Sequence, residues 1–145
     1  MKIITKTIEI NTKNEFEILN ITDKVKEIIK NSKIKEGFVN IFSRHTTLAI
    51  KINEDEKLLL KDFENILRKI SDLEKEYFHD KIELRNCPAD EPKNARSHIK
   101  CLLLETSQII PLKDNKMLLG TYQNIFAIET SGPRKREIII QVCGE

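Results

Sequence analysis

The hydrophobic period of this chain changes along its length, and that change limits the possible folds more than any other feature. Lys2–Ile10 sets apolar Ile4, Ile8 and Ile10 against polar Lys2, Lys6 and Glu9 in an imperfect alternation, which reads as a strand. Residues 16–20 read as a second short strand, and Phe38–Ser43 and Thr47–Ile52 as two more in quick succession. In the middle of the chain the period lengthens. Leu59, Phe63, Ile66, Leu67 and Ile70 recur at i, i+4, i+7, i+8 and i+11, a single apolar stripe on a helix. Asn53 is placed to cap this helix, with Glu54, Asp55 and Glu56 in its first turn. A shorter helix is predicted from Thr22-Asp23, with Thr22 as its cap and Val25, Ile28 and Ile29 on its apolar side. A third is predicted from Pro92, which suits a first helical position, to about Leu104. The rest reads as strands: Gln108–Leu112, Met117–Leu119, Tyr122–Glu129 and Arg136–Val142. Paired strands with interposed helices predict an α+β fold. The 145 residues suit one domain, 1–145, able to bury about two-thirds of its unfolded surface.

Several functional classes are not expected. No apolar run approaches the roughly 20 residues that span a bilayer, and Met1–Lys6 does not read as a signal peptide, so no membrane partner is expected. With 25 basic and 23 acidic residues the net charge is +2, too balanced to predict nucleic-acid binding. Three cysteines, an odd number without CxxC spacing, suit a reducing cytoplasm better than a disulfide framework. Neither GxGxxG nor GxxxxGK[ST] occurs, so a Rossmann or Walker phosphate loop is not supported.

The residues able to carry chemistry are few. Of three histidines, His45 closes a predicted strand in Ser43-Arg44-His45-Thr46-Thr47, where the threonine hydroxyls can bind phosphate or orient the imidazole. It can equally be a strand-end residue capping a turn. His98 lies one helical turn after Asn94 and one turn before Leu102, so it faces either a site or the edge of the core. His79 precedes Asp80, which can orient it, at the mouth of the irregular stretch 79–93. The spacing forms no local metal motif, so any shared histidine site must be assembled by the fold. Four of the six arginines, Arg44, Arg96, Arg134 and Arg136, lie near these features. Arginine binds phosphate bidentately, and Ser131–Arg136 forms a basic turn that can clamp one or simply bend a hairpin. Glu54 and Glu129 are candidate general bases or metal ligands, Glu54 being equally a first-turn helix carboxylate.

Taken in order, these pieces resemble the YjbQ family of small proteins, members of which are described as secondary thiamine-phosphate synthases. The resemblance runs over essentially the whole chain: Ile21-Thr22-Asp23, Gly37 through Thr47, Ile52-Asn53-Glu54, Tyr77–Asp80, Asn94–His98, Leu118–Gln123, Glu129 and Gly132–Arg136. It implies a mixed or antiparallel sheet folded into a sandwich with about three helices, assembled as a homotrimer with a polar site near subunit boundaries. Carried over, that site includes His45, Thr46, Thr47, Glu54, His79, Asp80, His98, Gln123, Glu129, Arg134 and Arg136. The chain departs from the family at Tyr122, where tryptophan is usual, and at Glu105 and Asn115, where glycine is common. Asparagine tolerates positive φ, so Asn115 fits its turn; Glu105 is harder to accommodate.

The function this implies is a transferase joining hydroxymethylpyrimidine diphosphate to thiazole phosphate and releasing pyrophosphate. Arg134, Arg136 and Arg44 are then expected on the phosphates with Thr46, Thr47 and Gln123, and His45, Glu54 and Glu129 in catalytic roles. Mg²⁺ suits the diphosphate, whereas a shell of His45, His79 and His98 suits Zn²⁺. Two other readings stay open: a metal-dependent hydrolase or lyase using the histidines, and a non-enzymatic trimeric binding protein.

Overall fold

In the computed structural model, which describes residues 1–71 and 75–145, eight strands form two antiparallel sheets. The strands are β1 (Lys2–Asn11), β2 (Glu17–Asn20), β3 (Gly37–Ser43), β4 (Leu48–Asn53), β5 (Ser107–Lys113), β6 (Lys116–Met117), β7 (Asn124–Glu129) and β8 (Lys135–Gly144). The larger sheet has the order β1-β8-β3-β5-β6 and the smaller β2-β7-β4. Three α-helices accompany them: α1 (Thr22–Ser32), α2 (Lys57–Ile70) and α3 (Ala95–Leu104). The protein is thus a single α+β domain in which one sheet lies over the other.

The two-residue period explains the layers. On the larger sheet, Val39 and Ile41 of β3 and Ile138, Ile140 and Val142 of β8 point inward and are buried. They meet Leu48, Ile50, Ile125 and Ala127 from the smaller sheet, with Val25 and Ile29 of α1 completing this core. The alternate residues of the smaller sheet, Ala49, Phe126 and Ile128, form a second cluster with Cys101 of α3 and Leu60 of α2. β7 is therefore buried on both faces, which is why Ile125–Ile128 is a continuous apolar run.

The helix starts differ from the sequence reading. α2 begins at Lys57, and its cap is Glu56, whose carboxylate accepts the N–H groups of Leu58 (2.9 Å) and Leu59 (2.8 Å). Asn53 instead ends β4, paired with Asn124. Thr22 does not cap α1: Asn20 Oδ1 accepts the Thr22 N–H (3.0 Å), and the Thr22 hydroxyl accepts the N–H of Ile125 (2.9 Å). α3 begins at Ala95 rather than Pro92, because a distant carboxylate, Asp80 Oδ1, accepts the Ala95 N–H at 3.0 Å. Sheet pairing also trims two strands, with β6 ending at Met117 and β7 starting at Asn124.

The two departures at expected glycines fare differently. Asp114 and Asn115, both at positive φ (52° and 60°), turn β5 into β6, and Asn115 Nδ2 donates to the carbonyls of Ile29 (2.9 Å) and Ile34 (2.7 Å). Glu105 adopts φ 71° and ψ 157°, a region that strains any residue with a Cβ. Its carboxylate is held by Lys51 Nζ (3.3 Å) and Gln108 Nε2 (3.1 Å). No helix among the described residues is long and apolar enough to cross a membrane.

Candidate functional site

The link between β3 and β4 and the turn between β7 and β8 meet at one end of the smaller sheet. Antiparallel register places Leu48 opposite Glu129, so Thr47 and Thr130 lie side by side. The Thr130 N–H and hydroxyl both donate to the Thr47 carbonyl, at 3.1 and 2.8 Å. Gly132 allows the turn to close on the β1–β2 loop, since a Cβ there would lie 2.2 Å from the Asn14 carbonyl. The Gly132–Pro133 peptide is cis.

Beneath the surface this turn carries a buried ion pair, with Glu129 0% and Arg136 4% exposed. The Arg136 fork grips the carboxylate with Nε on Oε2 (2.6 Å) and Nη2 on Oε1. The Thr12 hydroxyl donates to Oε2 (3.0 Å) and the Ser131 N–H to Oε1 (2.9 Å). Burial pushes the Glu129 carboxyl up, but these donors together outweigh it and hold the group below the ordinary glutamate value. All four donors are in place, so Glu129 has neither a free lone pair suited to a base nor a ligand position for a metal. Its structural effect is to fix Arg136. Arg136 Nη2 also donates to Thr47 Oγ1 (2.8 Å), and among the described residues its Nη1 amino group has no protein partner.

Arg136 lines a cleft of about 430 Å³ with Arg44, His45, Thr46, Thr47, Glu91, Pro92, Asn94, His98 and Arg134. His45 is locked by its neighbours: its Nε2 accepts the N–H of Glu137 at 2.8 Å, and its own N–H donates to Ser43 Oγ at 3.2 Å. Burial, then the charge of Arg136, lowers its pKa below the ordinary histidine value, which favours the neutral ring. A neutral imidazole that accepts at Nε2 carries its proton at Nδ1, so His45 presents a hydrogen-bond donor rather than a free base. His98 is likewise lowered, first by burial and then by His79, whose ring meets it edge-on at 4.8 Å. Arg134 donates through Nε to the Ser131 carbonyl (2.7 Å), which leaves its two terminal amino groups to the cleft. Arg44 pairs with Glu137 (3.1 Å) at the exposed rim. Three guanidinium groups therefore line the cleft with a single lining carboxylate, Glu91.

The fold does not bring all the expected residues together. His45, Thr46, Thr47, His98 and the three arginines share the cleft; His79 stands behind His98, and Asp80 caps α3. Glu54 and Gln123 lie at the opposite end of the smaller sheet, because β4 and β7 pair Asn53 with Asn124 there. Gln123 Oε1 accepts the Gly120 N–H (2.8 Å) beside a groove of about 680 Å³ between α1 and β6. That groove, and another of about 700 Å³ between β1 and α1, have no arginine or histidine lining.

Sequence reasoning missed Glu91, whose only signal was its place in the long loop, and read Pro92 as a helix start rather than as part of a cleft. It also missed Thr12 and Glu137, which have no local signal and lie 117 and 92 residues from the side chains they contact. Nor do the residues fit a resident metal. Among the described residues no group of three or more His, Cys, Asp or Glu side chains is arranged to hold an ion. His45 Nε2, Asp80 Oδ1 and the Glu129 oxygens are all occupied by protein donors.

Comparison with known proteins agrees with this architecture. A family model described as UPF0047 protein YjbQ-like matches residues 6–145. A UPF0047 protein of Methanothermobacter thermautotrophicus is 37% identical over 145 residues, covering 100% of this chain and 95% of that protein. Another, from Methanocaldococcus jannaschii, is 36% identical over 138 residues, 94% of this chain and 92% of that protein. The crystal structure of a YbjQ-like protein of unknown function from Sulfolobus solfataricus superposes with a TM-score of 0.89 at 32% identity, covering 99% of both chains. A match of this extent in sequence and fold means that the chain belongs to the YjbQ-like UPF0047 family.

Proposed function

We propose that the cleft binds a phosphorylated small molecule and that the protein is a thiamine-phosphate-synthase-like transferase. The observation that carries this reading is the convergence of Arg44, Arg134 and Arg136 on one cleft, with Arg136 pre-oriented by a buried carboxylate. In the proposed reaction the thiazole nitrogen lone pair forms a bond to the pyrimidine methylene carbon. The carbon–oxygen bond breaks and its electron pair leaves on pyrophosphate. The nitrogen becomes a thiazolium cation, so no proton has to be removed from it. Such chemistry needs stabilisation of the leaving anion rather than a base. The occupied Glu129 carboxylate and the donor form of His45 suit that need. Arg136 Nη1, the terminal amino groups of Arg134, the Thr46 hydroxyl and His45 Nδ1–H are the donors for pyrophosphate. Mg²⁺ enters on this reading with the diphosphate, not on a protein ligand set.

The proposal includes the homotrimer. In it, Glu54 and Gln123 would reach a cleft only across a subunit boundary, since the fold keeps them from the cleft of their own chain. Light scattering in solution checks the assembly. A cytoplasmic location also belongs to this reading, on the strength of three free cysteines, two of them buried.

The test is to incubate the protein with both precursors and measure thiamine phosphate and pyrophosphate, comparing wild type with Arg134→Ala. Pyrophosphate released only when both substrates are present, and sharply reduced in the variant, supports the transferase. Release from the diphosphate alone would point to a hydrolase. Binding without turnover would leave a binding protein.

A further inference from the structure

A second cleft, of about 280 Å³, adjoins the first. The two share Pro92, Asn94 and Arg134, so Arg134 stands in the wall between them. On the far side lie Lys93, Arg96 and Ser131. The wall is ordered by polar contacts: Asn94 Nδ2 reaches Ser131 Oγ (3.5 Å), and Arg134 is fixed through Nε to the Ser131 carbonyl (2.7 Å). Arg96 is held at the rim by Glu15 at 2.6 Å, a pair that neutralises one charge, whereas Lys93 and Arg134 form no ion pair among the described residues. At this volume the cleft falls just below the size usual for a whole small-molecule ligand, but it accommodates a phosphate-bearing fragment.

We propose that this cleft is a second anion subsite, taking a phosphate monoester while the larger cleft takes a diphosphate, with Arg134 contacting both. The larger cleft has the greater arginine count and the pre-oriented Arg136, which suits the more highly charged anion. The smaller offers a lysine and a partly neutralised arginine, which suits a single phosphate. A shared guanidinium also holds the two anions next to each other, where direct repulsion between them would otherwise oppose simultaneous binding. Assigning the two anions to two substrates of one condensation rests on the transferase reading; the existence of the subsite does not.

The experiment is calorimetric titration of the full chain with inorganic pyrophosphate, followed by inorganic phosphate at saturating pyrophosphate. The expected result is a second binding event, one phosphate per chain. Arg96→Ala should weaken phosphate about tenfold, the value of one charge-assisted contact, and leave pyrophosphate unchanged. Arg44→Ala should do the reverse, and Arg134→Ala should weaken both. Glu15→Gln releases Arg96 and should strengthen phosphate binding, which a purely structural role for the pair would not do. Arg96→Lys keeps the charge if the alanine variant fails to fold, and should retain part of the affinity. Absence of any second event, or equal weakening of both anions by Arg96→Ala, would overturn the proposal. Two bound anions with no thiamine phosphate formed would remove the transferase reading and leave the subsite standing.

Discussion

Replacing Glu129 with glutamine tests the central contact of the site. The substitution keeps the side chain's shape but leaves the Arg136 guanidinium, 4% exposed, without its counter-charge. Removing one partner of a buried pair costs about 3–5 kcal/mol, because the remaining charge is neither solvated nor compensated. The fork from Arg136 supplies two of the four contacts to the carboxylate, and because Thr12 and Ser131 donate to different oxygens, the single amide oxygen of glutamine can keep only one of those two donors. A domain of this size is stable by about 5–15 kcal/mol, so the variant should still fold. At about 3–4 °C per kcal/mol, its thermal midpoint should fall by roughly 10–20 °C. Circular dichroism at neutral pH measures this directly. Replacing both Glu129 and Arg136 by methionine removes the stranded charge and should return part of the loss.

The same pair makes a prediction about pH. The folded-state pKa of Glu129 lies below the ordinary value of 4.5, so its contribution is fully present above 4.5 and is lost as pH falls through the lower folded value. Wild-type stability should therefore fall in that acidic window, and Glu129→Gln should lack this component. A loss under 1 kcal/mol for Glu129→Gln, or an unchanged acid profile, would refute the argument that Glu129 holds Arg136 in place.

Two further outcomes follow from the geometry. His45 should titrate below 6.5, with ring nitrogen shifts showing the proton on Nδ1 across neutral pH; because its neutral form is favoured in the folded state, its contribution to stability is present above 6.5 and is lost as pH falls through the depressed value. Glu105→Gly should stabilise the protein by about 1 kcal/mol in chemical denaturation, since release of a strained φ of 71° outweighs the lost exposed contact with Lys51 and the added chain entropy of glycine.

Much of the fold was legible in the residues. The alternation in β1 and the stripe from Leu59 to Ile70 report burial over a few neighbouring positions, and such local patterns survive in any tertiary setting that buries the same face. Helix starts were less legible, because two are set from outside the helix: Asp80 caps α3 from 15 residues away, and Asn20 serves α1 from the end of β2. The arginines near His45 and in the Ser131–Arg136 turn were also visible, since scarce arginines beside a strand end stand out against a lysine-rich chain.

What those residues can do was decided only by the tertiary structure. Sheet register, not sequence spacing, sets Thr47 beside the buried Arg136 while sending Glu54 and Gln123 to the other end of the same sheet. A carboxylate written in the chain as a candidate base becomes an anchor once Thr12, Ser131 and Arg136 close around it. A histidine that could accept a proton becomes a donor once the Glu137 N–H occupies its Nε2. The sequence by itself determined which elements form and which side chains are available. The fold determined their protonation and their partners, because these depend on contacts between positions about a hundred residues apart, which local periodicity does not encode.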